Sequence, residues 1–339
     1  MASRILLIRM MGLGDVACIL LPAVRHFRRQ HPMAQIDVLT FGAGADLMRL
    51  DPEVRTVHAL QTSDWPDDLA TAVPRFLKMA EQLTLQSYDQ VVNLDTWFMP
   101  CFLAQVLHEL GLRVDGNRLK WSTTDFFSAW RTRRLDPAML RFPEQYLSSN
   151  FPGVAEWHRP WWLGSRGQTD YASFYLTHVC GFPASDPVTL QHPCDANWME
   201  QTKGRPIVAL STKGSREAKR YPHHDALQQA LTHAGYYVWS QFDGSIPMKV
   251  TLGRLGASTL LITVPTSTQW LARLVNCPSL MIPGAIPPHV LGAESTIAAV
   301  TSCQYCLQTD CNQPNRYACL DVKPDLVVRE AQKIMARVS

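Results

Sequence analysis

The sequence predicts an α/β protein made of two Rossmann-like halves, and three observations carry that expectation. A chain of 339 residues exceeds what one typical core holds and suits two domains of about 150 residues each. Short β-rich runs alternate with helical ones, which favours parallel sheets covered on both faces. The alternation stops in the middle of the chain and then resumes.

In the first half the strand candidates are residues 5–9, 36–41, 56–60 and 90–94. Ala17, Leu20, Val24 and Phe27 recur at spacings of three and four, predicting a helix after the first strand. From about 118 to 165 the rhythm breaks in a segment rich in aromatic and basic residues: Trp121, Phe126, Phe127, Trp130, Arg131, Arg133, Arg134, Trp157, Trp161 and Trp162. Those side chains suit either an acceptor or an anionic membrane surface, or simply a small core around the linker. Strands are then expected at 206–210, 236–242, 260–264 and 279–282, with helices at 222–234 and 268–275. A last helix starts at Pro324, with Val327, Ala331, Ile334 and Val338 on one stripe and proline in the first turn, where its missing N–H costs nothing. The domains so predicted are 1–200, with the insert and linker; 201–322, with a cysteine cluster; and 323–339, the closing helix.

A composition of 46% apolar and 18% charged residues is that of an ordinary soluble protein, and a net charge of +3 is too small to indicate a nucleic-acid partner. No stretch approaches the roughly 20 apolar residues of a membrane span. Arg9 and Asp15 interrupt the first apolar run, so it reads as a core strand rather than a signal peptide, and the nine cysteines are expected in a reducing cytoplasm.

Four loops could carry chemistry. Gly12, Gly14 and Asp15 follow the first strand, where open α/β sheets bind ligands; the glycines allow close backbone approach, and Asp15 is either a base or an acid complementing the helix dipole. Ser211, Thr212, Lys213 and Lys219 lie between a strand and a helix, a pyrophosphate seat or a solvated loop. Thr266 and Ser267 precede another helix and either cap it or bind phosphate. Cys303, Cys306, Cys311 and Cys319 have the spacing of a tetrahedral structural site for zinc or iron, the alternative being four reduced thiols. The basic run Arg25, His26, Arg28 and Arg29 closes the first helix and complements its dipole.

The opening Ile5-Leu6-Leu7-Ile8-Arg9-Met10-Met11-Gly12-Leu13-Gly14-Asp15-Val16 resembles the start of the bacterial lipopolysaccharide heptosyltransferases, glycosyltransferase family 9. The likeness continues through Leu21-Pro22-Ala23-Val24, His31-Pro32, Asp51-Pro52-Glu53-Val54 and Asn93-Leu94-Asp95, then Ser211-Thr212 with Lys219-Arg220-Tyr221-Pro222, and the cysteine-containing tail. That resemblance implies a GT-B fold, two Rossmann-like domains facing each other across a cleft. It implies inverting transfer of heptose from ADP-heptose without a catalytic metal, to a glycan, glycolipid or protein acceptor, with contact at the inner membrane. By position Asp15 becomes the general base, and Ser211, Thr212 and Lys219 become donor-phosphate ligands. Where the family usually carries Asp-Ser/Thr-Gly followed by His, this chain has Pro265-Thr266-Ser267 and then Trp270. A sugar-nucleotide-binding or assembly protein with weakened catalysis is the alternative reading.

Overall fold

The computed structural model describes residues 3–61, 68–134, 136–157, 169–184, 186–308 and 310–338, without the side chains of 137, 139, 156, 157 and 338. Trp161, Trp162 and the side chain of Trp157 therefore lie outside the described residues. The chain divides into two compact units, Met1–Trp161 with Ala172–Asp186, and Trp162–Tyr171 with Pro187–Ser339.

The first unit is built on β1 (Arg4–Ile8), β2 (Gln35–Phe41), β3 (Val54–Leu60), β4 (Gln90–Asn93), β5 (Val114–Leu119) and β6 (Leu147–Ser149). They lie in the order β3-β2-β1-β4-β5-β6, parallel except for the antiparallel β5–β6 pair. β1 is central, and its Ile5 to Ile8 are buried on both faces, which is why it reads as an unbroken apolar run. Strand order reverses between β1 and β4, so the crevice at their carboxyl ends is the natural ligand position.

A continuous helical run follows β1: Leu13–Asp15, a π-helical turn Val16–Leu20, and Leu21–Gln30. Pro22 has no N–H to give the preceding turn, and the ladder widens just before it, with the Leu21 amide reaching Val16 O. Ala17, Leu20, Val24 and Phe27 are all buried, as the periodicity predicts. The basic run does more than complement the dipole: Arg25 pairs with Asp51 at 2.8 Å and Glu53 at 3.1 Å, and Arg28 donates to the Glu53 carbonyl at 3.0 Å.

The aromatic-basic segment extends the first sheet. It completes β5, forms the helix Thr123–Arg131 capped by Ser122, and supplies β6. Phe126 is buried, and half-buried Trp121, Phe127 and Trp130 pack on the same core as the helices Leu69–Thr84 and Phe98–Glu109, while Arg131, Arg133 and Arg134 stay exposed.

The second unit is a parallel sheet of β7 (Ile207–Ser211), β8 (Tyr237–Trp239), β9 (Leu260–Thr263), β10 (Ser279–Met281) and β11 (Ser295–Thr296), in the order β11-β10-β9-β7-β8. Its reversal point lies between β7 and β9. The helices His224–His233 and Pro324–Val338 cover one face, where Leu227, Leu231, Val327, Ala331 and Ile334 meet Val208, Leu210 and Ile262. Among the described residues no helix is long and apolar enough to cross a membrane.

Candidate functional site

At the reversal point of the first sheet, residues from three segments converge. Asp15 ends the first helical turn, its amide bonded to Gly12 O at 2.9 Å. Arg9 leaves β1 and is 2% exposed; its Nη2 stands 2.7 Å from Asp15 Oδ1. Asp95, just past β4, is fully buried, with Oδ1 3.4 Å from Arg9 Nη1, while its Oδ2 accepts from the Met10 amide. The Arg9 guanidinium also donates to the Leu94 carbonyl and lies 5.3 Å from the ring centre of Tyr175. Tyr175 opens a second π-helical turn, Tyr175–Val179; its hydroxyl donates to Leu94 O at 2.7 Å and accepts from the Asn117 amide at 3.1 Å.

Burial pushes the Asp95 carboxyl up to about 6, against the pull of Arg9 and the Met10 amide and with the repulsion of Asp15. The same burial holds the Cys101 thiol and the Tyr175 hydroxyl well above their usual ranges, so both stay neutral. Asp15, by contrast, has a side chain 21% exposed. Gly12 has an ordinary φ of −60°, and a Cβ there would meet nothing within 4 Å. The turn therefore needs no glycine freedom at that position, and the missing side chain leaves open space instead.

In the same unit a cleft of about 430 Å³ is lined by Thr96, Trp97, Phe98, Arg141 and Tyr146, among others. Trp97 is 46% exposed, and the Tyr146 hydroxyl fixes the cleft by donating to Thr96 O at 2.8 Å. An exposed indole beside an arginine suits a sugar ring or another flat polar ligand.

The reversal point of the second sheet is filled differently. Ser211 and Thr212 are buried: Ser211 Oγ meets Thr268 Oγ1 at 2.8 Å, and Thr212 Oγ1 meets His224 Nδ1 at 2.7 Å. Burial first, then Lys213, pulls His224 below the usual imidazole range, so the ring is neutral at pH 7. Thr266 Oγ1 lies 3.2 Å from Thr263 Oγ1, and Thr266 and Ser267 open the helix Ser267–Leu274 without a side-chain cap bond from Thr266. Among the described residues the buried side-chain amide of Gln269 has no hydrogen-bond partner. Pro265 is buried, and Trp270 packs edge-on to Tyr171 at 5.5 Å with Arg273 over its ring.

The loop after β7 is a tight hairpin: Lys213 bridges Arg220, and the Gly214 amide donates to Lys219 O at 2.9 Å. A Cβ on Gly214 would lie 2.2 Å from that carbonyl, so only glycine fits. Lys213 lines a cleft of about 930 Å³ with Arg220, His223, His224, Arg316 and Lys323; Ser211, Thr212, Lys219, Thr266 and Ser267 do not line it.

Cys303, Cys306, Cys311 and Cys319 are all free thiols. Burial and the charges of the other three raise Cys319, while backbone amides, Tyr317 first, lower Cys311. Among the described residues no three His, Cys, Asp or Glu side chains are gathered as a metal site.

Sequence reasoning placed Asp15 but passed over Arg9, Asp95 and Tyr175. The available signal was a charged residue at the end of each of two buried strands, Arg9 after Ile8 and Asp95 after Asn93-Leu94.

No family model and no curated protein matches the sequence. Solved structures do match along nearly the whole chain. A glycosyl transferase of family 9 from Veillonella parvula aligns at 14% identity and a TM-score of 0.66, covering 99% of this chain and 97% of that one. ADP-heptose lps heptosyltransferase II of E. coli aligns at 15% identity and 0.61, covering 99% of both. The iron-containing dodecameric glycosyltransferase TibC from enterotoxigenic E. coli aligns at 14% identity and 0.56, covering 100% of this chain and 77% of that one. Two parallel, doubly wound sheets matched over that length give this chain the GT-B fold of those glycosyltransferases.

Proposed function

We propose that this protein is an inverting glycosyltransferase that moves a heptose from ADP-heptose to a hydroxyl of a glycan, glycolipid or protein acceptor. The observation that carries the reading is the partly exposed carboxylate of Asp15, held at 2.7 Å by a buried arginine at the carboxyl end of β1, on the fold of ADP-heptose transferases. Asp15 takes the proton of the acceptor hydroxyl as the new C–O bond forms on the face opposite the leaving group. The bond to the diphosphate breaks with its electron pair, and ADP departs. Gly12 and Gly14 leave room for the acceptor beside Asp15. Lys213, Lys219, Thr266 and Ser267 take the diphosphate oxygens, while Ser211 and Thr212 hold the end of β7 through Thr268 and His224. No catalytic metal takes part in this scheme.

The cysteine set has the donor chemistry of a structural ion, four free thiols close in sequence, although the described residues do not gather three of them at one point. Zinc or iron held by Cys303, Cys306, Cys311 and Cys319 would tie the loop before the last helix. Metal analysis of anaerobically purified protein tests this; a stoichiometry near zero ends it. A place in the cytoplasm, with peripheral contact at the inner membrane, belongs to the same reading.

A mass-spectrometric transfer assay with ADP-heptose and a heptosyl acceptor is the direct test. Asp15→Ala is expected to lose about 10²- to 10⁴-fold in rate while calorimetry still detects ADP binding. A sugar-nucleotide-binding protein with weakened catalysis is the second reading, favoured by the buried Pro265 and by Trp270 packed among Tyr171 and Arg273. It predicts ADP binding without transfer; absence of both would remove both readings.

A further inference from the structure

The strongest unexplained feature of the first unit is the price of its charges. Arg9 and Asp95 are removed from water, and an ion pair in such a place is seldom a net source of stability, since apolar residues of similar volume do as well. Their geometry has a direction. The guanidinium is held on one side by the Leu94 carbonyl and Asp95, supported underneath by the Tyr175 ring, and leaves its other edge against Asp15, which is 21% exposed. Asp95 is fixed by the Met10 amide, and its Oδ1 stands 3.4 Å from Arg9 Nη1.

We propose that Asp95 is a positioning residue for the base, dividing the charge of Arg9 so that Asp15 is held in place yet remains able to accept a proton. This inference rests on Asp15 being the base of the transfer reaction. With Asp95 ionised, Arg9 is shared between two carboxylates, and that sharing favours proton uptake at Asp15. With Asp95 neutral, the undivided guanidinium opposes that uptake.

Among the described residues, the titratable and charged groups facing Asp95 are Arg9 from β1, Asp15 from the first helical run, Cys101 from the helix Phe98–Glu109, and Tyr175. Cys180 faces Arg9 from beyond the second π-helical turn, and its thiol is raised by burial. Cys101, Tyr175 and Cys180 stay neutral near pH 6, where Asp95 changes charge.

The test is the full-length Asp95→Asn variant, with kcat and KM followed from about pH 5 to 9 beside the parent and Asp15→Ala. The expected result is a kcat lower by about ten- to a hundredfold at neutral pH with KM nearly unchanged, and loss of the parent's acid-side inflection near pH 6. Equilibrium denaturation supplies a readout that needs no turnover. The folded carboxyl titrates above the unfolded one, so the parent binds the extra proton when folded and loses stability as pH rises from about 4 to about 6. Asp95→Asn lacks that slope.

If Asp15→Ala is inactive while Asp95→Asn keeps the parental kcat and inflection, the inference falls and the base assignment stands. Full activity of Asp15→Ala overturns the base assignment and the inference with it. Should Asp95→Asn fail to fold, Arg9→Lys keeps the charge without the planar fork; a lowered kcat with a moved inflection supports the inference, and a parental profile overturns it.

Discussion

The reversal point of the first sheet gathers charges, Arg9, Asp15 and Asp95, whereas that of the second gathers neutral hydroxyls, Ser211, Thr263, Thr266 and Thr268. Both sit where a parallel sheet changes direction, at the carboxyl ends of strands. One arrangement can take up a proton; the other can only give and accept hydrogen bonds. Sugar transfer needs one of each kind, a base beside the acceptor and neutral or cationic donors beside a departing diphosphate. On the proposed reading, the same topological opening is fitted out once for each partner of the transfer.

Breaking the charged side should cost most. Arg9→Met leaves the Asp95 carboxylate buried without its cation, a loss of about 3–5 kcal/mol in urea denaturation near neutral pH. The loss should shrink toward about pH 5, because Asp95, already raised to about 6, is then protonated and leaves no charge uncompensated. A loss independent of pH would reduce Arg9 to packing.

On the neutral side the effects should be smaller and flat with pH above about 7. Thr212→Val leaves His224 Nδ1 buried without its partner and should cost about 1–3 kcal/mol by the same measurement. A steep pH dependence there would erase the contrast between the two sites. Smallest is Lys219→Ala, expected to weaken ADP binding by about tenfold in calorimetry, about 1.4 kcal/mol, with little change in fold.

The sheets were legible wherever strands are continuous apolar runs. β1, β2, β4, β7, β9 and β10 lie within a residue or two of their predicted places because burial on both faces writes itself into composition. β5 was not legible. Its Val114-Asp115-Gly116-Asn117-Arg118-Leu119 carries no clear alternation, since Asn117 is buried with its side-chain amide donating to the Tyr175 hydroxyl, and Gly116 has φ +84° with Asn93 O where a Cβ would sit. Such a strand is specified by tertiary partners rather than by its own pattern. The candidate site shows the same division. Asp15 was singled out from its loop and from a family likeness, but Arg9 finds Leu94 85 residues away, and no local spacing announces that meeting. In the second unit the hydroxyls were singled out in the sequence, while their burial and mutual bonds were not legible there.

Two π-helical turns adjoin the guanidinium of Arg9: Val16–Leu20, entered from Asp15, and Tyr175–Val179, opened by Tyr175. Each spends one residue more than an α-helical turn, roughly 100° of rotation about the axis. Removing a single residue from 16–20 would let the segment close as ordinary helix and swing Asp15 around the axis relative to Leu21–Gln30, with every side chain of the array still present. The site is thus written partly in chain length, and a related sequence could keep all three charges yet hold them out of register through one missing residue.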